Sequence, residues 1–227
     1  MKRIALATAV VLACFAAPAS QAATTSKSKS ESLVKALLRQ APGLRGEVLR
    51  LALSAAQKAS SQGLVKRRDL ITVIDYSLPS TQPRLFVFNL ATRKLLFREL
   101  VAHGRNSGDN EATFFSNSPG SLATSLGLFV TADTYVGSNG YSLRLKGLEE
   151  GINDMAWDRA IVMHGAAYVS RTAISALGRL GRSWGCPAVR QEIARKMIDT
   201  LRGGSAIFAY YPQQKWLHNS SFVSASR

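Results

Sequence analysis

Apolar positions recur at two different periods along the 227 residues, and the change of period divides the chain. Leu33, Val34, Leu37 and Leu38 form one stripe at helical spacing. Leu44, Val48, Leu49, Leu51, Ala52, Ala55 and Ala56 form a second. Pro42-Gly43 interrupts them, so 33–66 reads as a helical pair ending near Gly63. From Leu70 the texture turns to short β-prone runs: Leu70 to Tyr76, Arg84 to Asn89, Leu95 to Ala102, Gly127 to Thr131, Tyr141 to Leu145, Ile161 to His164 and Ser205 to Tyr210. Turn signals such as Pro79-Ser80, Asn89 and Ser138-Asn139-Gly140 separate them. Gly104 to Gly120 is a polar loop long enough to count as functional or mobile. One late helix is expected. Pro187 suits a first helical position, and Val189, Ile193, Met197 and Leu201 recur every four residues, with Ala194 and Ile198 alongside. The sum is a mainly β domain over 67–213 with few helices, preceded by the helical pair and followed by a tail, 214–227, of little pattern in which His218 is exposed. The helical pair reads as a packing appendage, with a lid or a docking surface as the alternatives.

The N-terminus changes the picture of compartment. Lys2 and Arg3, the apolar run Ile4 to Ala17 and the small residues Ser20-Gln21-Ala22 make residues 1–22 a secretory leader. The run is too short for a stable membrane span, so an exported, periplasmic protein is expected. The alternative, a lipid anchor on Cys14 within Val11-Leu12-Ala13-Cys14, is disfavoured because the apolar run continues past Cys14. Residues 23–32, rich in Ser, Thr and Lys, read as a flexible spacer. The formal net charge of +15 falls by two, to +13, when Lys2 and Arg3 leave. Strong basicity often means nucleic acid, but export and scattered charges point to an anionic envelope polymer or membrane surface instead. The three histidines and two cysteines lack zinc-ligand spacing, and no phosphate-binding glycine loop follows a strand, so no metal and no cofactor are expected.

Candidate chemistry concentrates in Arg182-Ser183-Trp184-Gly185-Cys186-Pro187-Ala188-Val189-Arg190, read with His164-Gly165. Without the leader, Cys186 is the only cysteine, and a lone thiol in an exported protein suggests a nucleophile. Placed at the start of the expected helix, its thiolate would be favoured by unpaired N–H groups and the helix dipole. His164, ending the apolar run Ala160 to Met163, is the candidate base. The N–H groups of Gly185 and Cys186 are candidates for an oxyanion hole. His103-Gly104 repeats the His-Gly pair, which makes His103 a second candidate base, although a groove or structural role suits it better; Arg159 reads as a strand-edge charge.

His164-Gly165, a spacer and Ser183-Trp184-Gly185-Cys186 together resemble the signature of the YkuD-type L,D-transpeptidases, in the subgroup with Ser-Trp-Gly-Cys-Pro. The likeness runs from about Leu70 to Tyr211 through His103-Gly104-Arg105, Phe115-Ser116-Asn117, Ser125-Leu126-Gly127 and Asn153. It implies a YkuD-like β-sandwich or barrel-like domain acting on peptidoglycan stem peptides, with Cys186 acylated, His164 as base and the backbone at Gly165 orienting the ring. It further implies substrate contacts from Ser183, Trp184, His103, Asn117 and Ser125, and covalent inhibition by carbapenem-type β-lactams. Two departures stand out. Trp184 replaces the family's second histidine, and Pro187 replaces the arginine or asparagine after the cysteine, leaving Arg190 as a candidate contact for the substrate carboxylate. With water as acceptor, the same chemistry gives an L,D-carboxypeptidase or endopeptidase, and the departures leave a non-catalytic murein-binding domain as a further reading. A papain-like arrangement is disfavoured because His164 precedes Cys186. None of these signals specifies the oligomeric state.

Overall fold

The computed structural model describes residues 19–223, with side chains from residue 28 onward. Residues 1–18, most of the expected leader and Cys14 included, lie outside the described residues. Two helices come first, α1 (Ala19–Leu38) and α2 (Gly46–Ser61). Nine strands follow: β1 (Arg67–Asp75), β2 (Leu85–Asn89), β3 (Lys94–Glu99), β4 (Val101–Ala102), β5 (Gly127–Gly137), β6 (Gly140–Gly147), β7 (Val162–Ala166), β8 (Ala188–Arg190) and β9 (Ser205–Tyr210). Two short helices, α3 (Arg171–Leu177) and α4 (Gln191–Leu201), are interleaved with the strands, and a third, α5 (Gln214–Asn219), follows β9. No helix among the described residues is long and apolar enough to cross a membrane.

The sheet order is β3-β2-β1-β9-β5-β6-β7-β8-β4. β3 and β4 stand at opposite ends of that order, yet only Leu100 separates them in the chain. The two edges therefore have to meet, and the sheet curls into a nearly closed barrel, which removes most exposed strand edge. Arg190 at the end of β8 grips Glu99 at the end of β3 through two hydrogen bonds of 2.8 Å, across that seam. β1 is buried without alternation from Leu70 to Asp75 because one face looks into the barrel and the other receives α2, whose Val48, Leu49, Ala52, Ala55 and Ala59 are buried. Helical pair and barrel thus share one apolar core.

Inside the seam lies a fully buried arginine. Arg84 donates to the carbonyls of Val101 (2.9 and 3.1 Å) and Leu78 (2.8 Å), stands 5.0 Å over the Tyr76 ring, and meets Nδ1 of His103 at 2.7 Å. Burial lowers the guanidinium only to about 10, so it remains charged at neutral pH. A cation donating to Nδ1 leaves Nε2 of His103 to carry the hydrogen, which points at the Gly108 carbonyl 3.3 Å away. Burial, followed by the Arg84 charge, pulls His103 down to about 4. The unfolded chain therefore binds a proton that the folded chain refuses between about pH 6.5 and 4, and stability must fall with pH through that window. At pH 4.5 the expected loss attributable to His103 is on the order of 2–3 kcal/mol. Urea unfolding at pH 7 and 4.5 checks it: the drop should be smaller in His103→Gln, and equal drops in both proteins would remove the assignment.

Several local expectations give way to longer-range pairing. Residues 23–32 are helical, not a flexible spacer. Nothing between Ala19 and Leu38 is Gly or Pro, so the stripe at 33–38 propagates backward, and Glu31 docks on Arg50 of α2 at 2.8 Å. The run 95–102 splits at Leu100 into β3 and β4. Ala188 to Arg190 is strand rather than first helical turn, because β8 is captured between β7 and β4, and the helix begins only at Gln191. The tail contains α5, whose Trp216 is buried against Phe208 and Tyr210 and donates to Glu149. The polar 104–120 loop is pinned by Ser107: its carbonyl accepts from the N–H groups of Thr113 and Phe114, and its Oγ accepts from Thr124.

Candidate active site

β7 and β8 run parallel, and their register sets His164 opposite Ala188 and Gly165 opposite Val189. Continuing that register backward puts Cys186 opposite Val162, and the Val162 N–H does point at Cys186 Sγ, at 3.4 Å. Val162 and His164 face the same side of β7, one two-residue step of roughly 7 Å apart. The thiol and the imidazole therefore lie along one edge of the ladder. Gly165 is the point where α4 crosses β7: a Cβ there would stand 2.8 Å from Ala194 Cβ and 3.2 Å from Gln191 Cα. The Gly165 carbonyl accepts from His164 Nδ1 at 3.0 Å, which fixes the ring and leaves Nε2 as the basic nitrogen.

The cysteine loop is built by its own residues. Ser183 Oγ donates to the Cys186 carbonyl at 2.7 Å and accepts from Gly185 N–H at 3.1 Å, closing the turn on itself. Gly185 has φ +119, and a Cβ on it would meet the Ala123 carbonyl at 2.7 Å, so a side chain fits neither the conformation nor the space. Ala160 stands in the left-handed region at φ 52, costing about 1 kcal/mol or more, and its carbonyl lies 3.8 Å from the sulfur. Cys186 is 8 % exposed and His164 4 %. Trp184, in contrast, is 71 % exposed, so the loop presents an indole at its rim while holding the thiol in its floor.

Electrostatically, the site holds a neutral pair at rest. Burial pushes the Cys186 thiol up, against smaller opposing effects of the Val162 N–H and the Arg159 charge. Burial also pushes His164 down, opposed by its bond to Gly165. The expected aid of a helix N-terminus is missing, because β8 intervenes between Cys186 and α4.

The other expected contacts divide. Trp184 is at the rim, and Asn117 lines a polar cleft with Glu150, Gln213 and Lys215, where it binds Asp154 and the Met155 N–H. His103 is not in the groove: it is 1 % exposed and held by Arg84. Ser125 and Ser183 are buried, engaged with Ser116 and Cys186 respectively. Arg190 is committed to Glu99 at the barrel seam rather than sitting one turn into a helix. Arg159 is no strand-edge charge. Its guanidinium bonds the carbonyls of Ser116 (2.8 Å) and Ala123 (2.6 Å) and the hydroxyls of Ser125 (2.5 Å) and Ser121 (3.1 Å). Sequence reading missed this because those acceptors lie 34 to 43 residues away, and no local signal marks them. Thr124 was missed for the same reason: its Oγ1 accepts from Gly104 N–H and faces the Gly185 carbonyl.

A search of curated proteins returned no match. Among solved structures, similar chains include LdtMt1 in complex with imipenem (16 % identity, TM-score 0.40, 63 % of this chain and 59 % of that one). An L,D-transpeptidase from Mycobacterium smegmatis is similar at 13 % identity and TM-score 0.40, over 63 % of this chain and 59 % of that one. L,D-transpeptidase 1 of Mycobacterium tuberculosis is similar at 15 % identity and TM-score 0.37, over 63 % and 62 %. The chain thus spans about three fifths of the length of these relatives. A family model described as the L,D-transpeptidase catalytic domain matches residues 40–210, which takes in α2 as well as the barrel. With that match over most of its length, the chain belongs to the family of YkuD-like L,D-transpeptidase catalytic domains.

Proposed function

We propose that the protein transfers acyl groups between peptidoglycan stem peptides through a thioester on Cys186. What supports this reading is a free thiol on the same face of the β7–β8 ladder as a histidine whose Nδ1 is tied to the Gly165 carbonyl, leaving Nε2 to accept a proton. His164 takes the thiol proton as the sulfur adds to the carbonyl of the donor residue. The Cys186 N–H receives the oxyanion, because the Gly185 N–H is committed to Ser183 Oγ and would have to leave it to join. Collapse expels the C-terminal residue as an amine, which leaves with the proton from His164. An acceptor amine on a second stem then loses a proton to His164, attacks the thioester and returns the thiol, so each cycle exchanges one amide for another. Water in place of the amine gives hydrolysis. Trp184 at the rim offers a flat apolar surface to the stem, and the net charge of +15 suits a polymer bearing free carboxylates. The substrate places the reaction outside the cytoplasm, in keeping with the leader-like N-terminus.

Purified protein incubated with defined muropeptides, with products resolved by mass spectrometry, tests the reading. Cross-linked dimers are expected; shortened monomers alone would replace transfer by hydrolysis, and unchanged substrate would leave the binding reading. The same thiol is expected to open the strained ring of a carbapenem, and intact mass of the protein after imipenem treatment shows whether one adduct forms.

A further inference from the structure

We propose that Arg159 is the positioning and charge-supplying residue of this site, taking the place of a second imidazole beside the thiol. The proposal rests on the acyl-transfer reading for its purpose, but not for its geometry. Two facts place the guanidinium. Its Nη2 lies 3.3 Å from where a Cβ on Gly185 would stand, so it packs against the residue just before the nucleophile. Arg159 also immediately precedes Ala160, whose carbonyl is the near neighbour of the sulfur. From that position its four acceptors, Ser116, Ser121, Ala123 and Ser125, fasten the 116–125 segment along the cysteine loop. The Ala123 carbonyl oxygen is both an acceptor of Arg159 and the atom against which Gly185 packs, so the arginine and the cysteine loop share one contact.

All four of those acceptors are uncharged oxygens, and half-burial restricts water around the head group. No carboxylate is among its hydrogen-bonding partners within the described residues. A cation held in this way keeps its field available to a neighbour that becomes negative. Cys186 is such a neighbour whenever its proton leaves and the sulfur carries the charge as thiolate. The other groups that face the sulfur supply no positive charge of their own. His164 on β7 is depressed by burial, while Tyr76 at the end of β1 and Tyr168 after β7 have phenols held neutral well above the working range. The influence is mutual: the Arg159 charge lowers the thiol, and the thiolate raises Arg159. Trp184, where the family carries a second histidine, is 71 % exposed, whereas the Arg159 guanidinium packs against Gly185, the residue before the nucleophile.

The test is alkylation of Cys186 by iodoacetamide, an uncharged reagent, followed by intact mass from pH 5.5 to 10 in the full chain. Arg159→Gln is expected to alkylate about tenfold more slowly near neutral pH, its profile displaced upward by about one unit. Arg159→Lys, which keeps the charge but cannot span four acceptors, is expected to recover most of the wild-type rate. Identical profiles for wild type and Arg159→Gln, or a Lys variant as slow as the Gln variant, overturn the proposal. If Arg159→Gln does not fold, Ser121→Asp serves, since its carboxylate would pair Nη2 without removing the arginine: slower alkylation is expected, and an unchanged profile overturns the proposal. Failure of wild-type protein on muropeptides with these shifts intact would sink the transferase reading and leave this one standing.

Discussion

Cys186→Ala is expected to lower muropeptide turnover by at least about 10³-fold while leaving the barrel folded. The two halves of that expectation have separate causes. Chemically, no other thiol exists among the described residues, so nothing else can form the thioester. Structurally, the sulfur's polar contacts among the described residues are an N–H···S bond from Val162 at 3.4 Å and a longer contact of 3.8 Å with the Ala160 carbonyl, both weak because sulfur is a poor acceptor and donor. Loss of so small a group should cost about 1 kcal/mol in stability. Thermal unfolding beside the product assay separates the two effects. A variant that keeps more than a tenth of wild-type turnover would remove Cys186 from the chemistry, and one that fails to fold would mean the loop depends on the sulfur more than its contacts indicate.

His164→Ala is expected to reduce acylation by about 10² to 10⁴-fold, the span typical of losing a positioned base. The pH dependence gives this its sharper form. Because burial lowers His164, the imidazole is already neutral and basic below the ordinary value of about 6.5, and wild-type kcat/KM should complete its rise on the acid side of that value. Because burial raises Cys186, the thiolate does not form by itself at neutral pH. Without His164 the reaction can draw only on thiolate made by bulk base, so the rate of the variant should climb steadily to above pH 9 and narrow the gap to wild type there. A variant profile with the same acid limb as wild type would show that another group supplies the base. His103 is unsuited to that role, since Arg84 and Gly108 occupy both of its nitrogens.

Much of the barrel is legible in the sequence, because alternation and turn chemistry are local properties. The Ser138-Asn139 turn between Gly137 and Gly140, the helical pair broken at Pro42-Gly43 and the places of the long strands follow from which side chains must leave water, although β5 runs on past the expected end at Thr131 to Gly137, held by its pairing with β6. The family was legible for a similar reason: a His-Gly pair and a Ser-Trp-Gly-Cys loop are short motifs whose members lie close in sequence. Local pattern reports that a face is buried, but not against what. Val189 is apolar whether it faces a helix stripe or a ladder, and only the capture of β8 between β7 and β4 makes it a strand residue and takes the helix terminus away from Cys186. His103 and Arg190 looked like groove residues until closure of the barrel gave each a partner at the seam, Arg84 and Glu99. Arg159 read as a strand-edge charge because its acceptors come from a distant loop. Residue type and spacing determined the fold class and the chemical kit of this protein. The tertiary structure alone decided which charges meet, which groups lose water and therefore in which direction each titrates, since pairing and dielectric depend on neighbours far away in sequence.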